Sequence, residues 1–305
     1  GEGPPFLMKC DRLAQILLNR PWSPSYFGLS LPTSVFLRFS ATLGPGDWPT
    51  DVSRNRTLVI GMETVLKLAT KFRVNPQTIQ TATEAGFEFA EIWLGAKVLE
   101  DWREVARLAN QSSLTYALHF PNRNNLTEAH LGQAIELYHA LQCSAMVIHQ
   151  PMLERYGTRL HELDPSVRLG VENHRLTPVE FLRWGSESDY LTLDVEHLWK
   201  LTLENCPLPK LLKEVRSFLE RFHEKLIHVH LPGYVPGFDE HRPMYCSREM
   251  VFAVMSMLAE YRFGGLIVSE VELEFQNAGE LQMDVLLFQR WKQLFQEQSD
   301  SAHVA

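Results

Sequence analysis

From about residue 66 onward the chain repeats one beat: a short apolar, β-rich run, then a longer stretch carrying helix signals, eight times over. The strand runs are Leu66–Arg73, Phe89–Leu94, Leu114–Phe120, Ala145–Gln150, Arg168–Asn173, Tyr190–Glu196, Leu226–Leu231 and Gly265–Val271. They read as nearly continuous apolar stretches rather than as strict alternation. Such strands need cover on both faces, as parallel strands under crossover helices have. Between them, Asn75-Pro76 is an N-cap followed by proline at the first helical position, and Gly86 stands where that helix should stop. Thr177-Pro178-Val179-Glu180 is a capping box. Leu211–Phe222 and Glu249–Tyr261 place apolar residues three and four apart. The crossover Met152–Pro165 is weak in that periodicity and reads as irregular. Eight β-then-helix units in roughly 230 residues predict an α/β fold, a (β/α)8 TIM barrel. A doubly wound sheet is the alternative, but no GxGxxG loop supports it.

The first residues do not follow the beat. Residues 1–64 read as an irregular N-terminal extension, rich in Pro, Ser and Gly between Arg20 and Pro49, and residues 65–298 as the barrel. The extension reads equally as an arm across the barrel or as a poorly structured segment. The net charge is −8, from 29 Lys+Arg and 37 Asp+Glu. No global positive field draws in nucleic acid, which is possible as a partner but not favoured. The cysteines, Cys10, Cys143, Cys206 and Cys246, show no CxxC pairing, so neither a disulfide framework nor a thiolate zinc knuckle is expected. No run of 18 apolar residues suggests a membrane span. Without a signal-peptide pattern, a cytoplasmic location is the expectation. The oligomeric state stays open.

The informative polar residues stand at the strand ends, where barrel chemistry gathers. The third run ends in His119 and the fourth in His149. The fifth ends in Glu172-Asn173-His174, and the sixth in Asp194-Val195-Glu196-His197. The seventh ends in His228-Val229-His230, followed by a loop with Asp239-Glu240-His241, and the eighth ends in Glu270. Six successive apolar runs thus close on a carboxylate or an imidazole. Burying each one unpaired is costly. Divalent cations in the barrel mouth remove that cost for all of them together, and imidazole and carboxylate suit Zn, Mn, Mg or Fe. Glu172, Asp194, His230 and Glu270 come from four strands and can meet on one ion. His119, His149, His197, Asp239 and His241 extend the set. Strand alternation turns His197 away from Asp194 unless the strand has already ended there. His228 lies one layer deeper and reads as a partner behind the ligands. His174, Arg242 and Trp199 are candidate substrate contacts, with Arg123 a further cation on a rim loop. The tryptophans Trp93, Trp184 and Trp291 are expected to fill the layers between strands and helices. His130, His139, His161, His223 and His303 read as surface residues.

At these positions the chain resembles the xylose isomerase-like barrel superfamily, which holds endonuclease IV, xylose isomerase and many sugar-phosphate isomerases and epimerases. The resemblance spans about Leu66–Gln296 and rests on Gly-Val-Glu172-Asn173-His174, Asp194-Val-Glu-His197, His228-Val-His230, Asp239-Glu-His241 and Glu270. For the endonuclease IV branch it implies three zinc ions on His119, His149, Glu172, Asp194, His197, His230, Asp239, His241 and Glu270. For the isomerase branch it implies one ion on Glu172, Asp194, His230 and Glu270. A third branch, with iron centres, modifies peptides. The ligand list alone does not choose. Base-gripping residues on the rim loops are thin, with Gly95-Ala-Lys97 after the second strand and Pro121-Asn-Arg-Asn-Asn125 after the third, and Arg242-Pro-Met-Tyr245 after His241 lacks the glycine-rich continuation expected by analogy with endonuclease IV. The expected activity is therefore a metal-dependent isomerase or epimerase on a small sugar or sugar phosphate, with Glu172 and Glu270 moving protons. An endonuclease IV-like phosphodiester hydrolase is the alternative, and a non-catalytic barrel is a third reading.

Overall fold

The computed structural model describes residues 66–237 and 241–304, with side chains described to residue 297. The expected extension, residues 1–64, and Asp239 lie outside the described residues. The strands are β1 (Lys67–Phe72), β2 (Phe89–Trp93), β3 (Thr115–His119), β4 (Met146–His149), β5 (Leu169–Glu172), β6 (Tyr190–Asp194), β7 (Leu226–His230) and β8 (Leu266–Ser269). They pair in chain order, all parallel, and β8 closes on β1. The expected (β/α)8 barrel is the fold.

The principal helices are α1 (Pro76–Ala85), α2 (Trp102–Ala109), α3 (Glu128–Ala140), α4 (Thr158–Leu163), α5 (Pro178–Glu187), α6 (Leu208–Phe222), α7 (Arg248–Glu260) and α8 (Ala278–Val304). Asn75 caps α1 through Thr78, and Gly86 ends it at φ 95°, in the left-handed region that glycine enters at no steric cost. Thr177 and Glu180 cap α5 reciprocally, as the sequence predicts. The fourth crossover departs from expectation. It is helical from Gln150 through α4, with a π-helical stretch over Leu153–Gly157. That wider winding shifts the side-chain register, which hides the ordinary 3.6-residue period from sequence inspection.

Two apolar layers position the mouth. Outward strand residues such as Ile92, Leu118, Ile148, Leu193 and Val229 pack under the helices, fully buried. A small inner cluster of Ala69, Ala117, Leu266 and Val268 plugs the barrel below the polar rim. Trp184 and Trp291 fill the outer layer as expected, their indoles donating to Val171 O and Ser256 Oγ. Trp93 does not. It is 42% exposed at the end of β2, with the Arg73 guanidinium over its ring. Trp93 falls two residues beyond Glu91, on the inward parity, so it emerges at the open mouth instead of under a helix. No helix among the described residues is long and apolar enough to cross a membrane.

Candidate metal centre

β5, β6, β7 and β8 each deliver one donor to a common point. His230 Nδ1 lies 3.1 Å from Glu270 Oε2, 3.5 Å from Glu172 Oε2 and 3.7 Å from Asp194 Oδ2. Three of these four atoms, on Glu172, Asp194 and His230, are buried without a hydrogen-bond partner. Buried polar atoms are normally satisfied, and a divalent cation satisfies a set of this composition at once. The residues present therefore fit a metal ion.

The remaining expected donors extend this set in both directions along the rim. His119 and His149 join Glu172 on one side: their Nε2 atoms are 3.3 Å apart, and that of His149 is 3.3 Å from Glu172 Oε2. His197 and His241 join Asp194 on the other. His197 reaches its place because β6 ends at Asp194. Val195–His197 then forms a helical turn, capped by Asp194 Oδ1 accepting from His197 N at 2.7 Å. The turn brings His197 Nδ1 to 3.1 Å from Glu172 Oε1 and 3.3 Å from Asp194 Oδ2. Asn173 staples β5 to β6, donating to Asp194 O and accepting from Asp194 N. His241 stands at φ 53°, a left-handed conformation unusual for a non-glycine residue. It is held there by its N–H donated to Glu196 Oε2 and by Glu272 N donating to its carbonyl.

A second layer lies beneath the donors, and two of its members escaped the sequence reading. Glu91, from the middle of β2, is wholly buried. Its Oε2 is 2.6 Å from His228 Nε2 and 3.0 Å from His230 Nε2, and its Oε1 is 2.9 Å from His119 Nδ1. Lys71, on β1, reaches Glu270 Oε1 at 2.7 Å, His119 Nδ1 at 2.8 Å and Glu91 Oε1 at 3.2 Å. His228 takes the deeper place expected of it. With its Nε2–H donated to Glu91, His230 leaves Nδ1 facing the rim, where its lone pair can ligate, while His119 Nδ1 lies between Glu91 and Lys71 and its Nε2 faces the rim. The signal for Glu91 was a lone carboxylate inside an apolar strand, on the same parity as Trp93. For Lys71 it was a cation on the strand register directly opposite Glu91.

Electrostatics follow this geometry. Burial pushes the His119 pKa down to about 4, helped by Lys71, which leaves a neutral imidazole. Burial opposes the charged form of His197, but Asp194 and Glu172 outweigh it and raise its pKa to about 10. Burial likewise opposes ionisation of Glu270, and Lys71 with His230 overrides it, holding the carboxyl at about 2. Burial also disfavours the Lys71 ammonium, yet Glu270 and Glu91 hold its pKa above the ordinary value.

The three expected substrate contacts lie in different surroundings. His174 is at the mouth, stacked on His149 and edge-on to His197. Burial, with His197 and His149 nearby, lowers its pKa to about 4. Arg242 starts the far side of the β7 loop, its backbone bridged to Gly233. Trp199 is buried against Tyr234, and its indole donates to Cys206 O at 2.7 Å.

No protein-family model and no curated protein matches the chain. Solved structures do. A D-tagatose 3-epimerase-like protein aligns at 16% identity with a TM-score of 0.56, over 77% of this chain and all of that one. An L-ribulose 3-epimerase aligns at 13% identity and 0.51, over 78% of this chain and 98% of its own. A D-allulose 3-epimerase from Methylomonas sp. aligns at 15% identity and 0.50, over 74% and 98%. The likeness is one of fold, and the shared barrel agrees with the resemblance carried by the strand-end residues.

Proposed function

We propose that the chain is a divalent-metal-dependent isomerase or epimerase acting on a small sugar or sugar phosphate. The observation that carries the reading is the convergence of Glu172, Asp194 and Glu270 on the unpartnered Nδ1 of His230. When bound there, a divalent ion polarises a substrate carbonyl and the neighbouring hydroxyl. Glu172 and Glu270 project from β5 and β8, on different sides of the mouth. A carbon held between them loses its proton to one carboxylate, the electron pair passing into a carbon–carbon double bond as the carbonyl oxygen gains charge. The other carboxylate, ionised at rest, takes up a proton from solvent as charge builds on the substrate and passes it to the opposite face, and the first releases its proton to solvent. His174, beside His149 and His197, is the proposed contact for a substrate hydroxyl. Arg242 and Trp199 stay as proposed substrate contacts, Trp199 through the wall it forms with Tyr234. The barrel fold shared with sugar 3-epimerases supports this substrate class.

A phosphodiester hydrolase is the second reading. It is favoured by the flanking groups His119–His149–Glu172 and Asp194–His197–His241, which share Glu172 and Asp194 with the central set. Such a chain of groups suits several ions, up to three, with Asp239 a further proposed ligand.

The test is elemental analysis of protein purified without a metal-affinity column, followed by incubation with ketoses in deuterated water. At least one ion per chain and deuterium at the carbon next to the carbonyl are expected, with the exchange abolished in Glu172→Gln and Glu270→Gln. Inert ketoses together with cleavage of abasic-site duplex would replace this reading by the second.

A further inference from the structure

Lys71 does not behave as a rim residue. Its side chain is 9% exposed, and it meets Glu270 on Oε1 while His230 meets Oε2. Around its Nζ stand Glu270 Oε1, His119 Nδ1 and Glu91 Oε1, at 2.7, 2.8 and 3.2 Å. Two carboxylates and an imidazole, from β8, β2 and β3, are the donor chemistry of the rim groups themselves. Here the point they surround is filled by an ammonium on β1.

We propose that Lys71 is a built-in cation that occupies one position of the centre and denies it to a metal ion. The inference rests on the metal-binding reading above and concerns the number and placement of ions. Glu270 offers two oxygens. Lys71 engages Oε1, which also lies 4.0 Å from His241 Nε2, and Oε2 is the oxygen turned to His230. His119 is divided in the same way, with Nδ1 toward Lys71 and Glu91 and only Nε2 toward His149 and Glu172. The charge of Glu91 explains why a cation is needed: a buried carboxylate with only imidazole partners is costly unless an ion pairs with it. A tethered ammonium meets that need permanently. A metal there would draw Glu270 away from the central ion. Lys71 is buried and acts through Glu270 and His119, so it is a positioning residue.

The experiment compares full-length wild type, Lys71→Met and Lys71→Arg, each loaded with Mn(II) or Zn(II). Ions per chain are counted by native mass spectrometry, and ions are located by anomalous scattering in crystals. Wild type should show density only on the rim side of Glu270. Lys71→Met should gain one ion per chain, placed among Glu270, His119 and Glu91, while Lys71→Arg keeps the wild-type count. A wild-type peak among those three residues would overturn the inference, as would a metal-bound, folded Lys71→Met with no added ion. Should Lys71→Met fail to fold, the wild-type and Lys71→Arg maps decide alone. A wild type that holds no ion at all defeats instead the metal reading on which this one stands.

Discussion

Glu91 is the residue on which the centre turns, although it faces no open space. One carboxylate accepts from His228 and His230, lies 2.9 Å from His119 Nδ1 and pairs with Lys71, so it fixes which ring nitrogen of His230 can ligate. Groups that hold a ligand's second nitrogen commonly matter to affinity by 10–100-fold. Glu91→Gln keeps the shape and removes the charge, so metal affinity should fall by about that factor. A competition titration against a chromophoric chelator reads it, and unchanged affinity would show that the imidazoles orient themselves. The central candidate donors Glu172, Asp194, His230 and Glu270 were legible in sequence because each closes an apolar run, where a charge is conspicuous. Glu91 and Lys71 were not, because they stand inside their strands. Their meaning appears only when β1 and β2 pair Lys71 with Glu91 and both turn inward.

Elements decide which side chains arrive. Asp194 and His197 share a site because β6 stops at Asp194 and a capped helical turn follows. Sequence could state that condition but not settle it, since the same four residues read on as strand. The β7 loop was less legible still. Its place depends on Glu196 holding His241, on the Gly233–Arg242 bridge, and on α8. Asp284 of α8 is buried, accepting from Ser269 Oγ beside Glu270 and from Met244 N beyond His241. Burial raises its pKa from 3.8 to about 7. The folded state then holds a proton that the unfolded chain has already released between about pH 4 and pH 7. Stability from this group is complete below pH 4 and is lost as pH rises through 7. The full loss is on the order of 4 kcal/mol. Asp284→Asn keeps one acceptor and one donor and does not titrate. In urea titrations its stability relative to wild type should rise between pH 4 and pH 7, then stay level. A difference independent of pH would mean that Asp284 is ionised throughout.

The whole barrel was the most legible feature, since eight repeats of one unit leave few topologies. Its closure still depends on single contacts that no periodicity reveals. A Cβ on Gly265 would lie 2.0 Å from Ile227 O and 2.6 Å from a ring carbon of Phe263, where β8 enters beside β7. Gly265→Ala should cost about 1–3 kcal/mol through this overlap. Thermal unfolding checks it, and an unshifted midpoint would mean that β8 can move aside. The closing seam also carries charge. Lys71 and Glu270 stand 199 positions apart and meet only across the first and last strands. Joining so distant a pair costs the closure entropy of the loop between them, a cost that falls when the intervening strands are already in place. A chain cut short before its eighth strand would lack Glu270 and leave Lys71 only Glu91 and His119 as partners. Possession of a working centre is in this sense a checksum on the completed ring: it reports that the polypeptide has come all the way around.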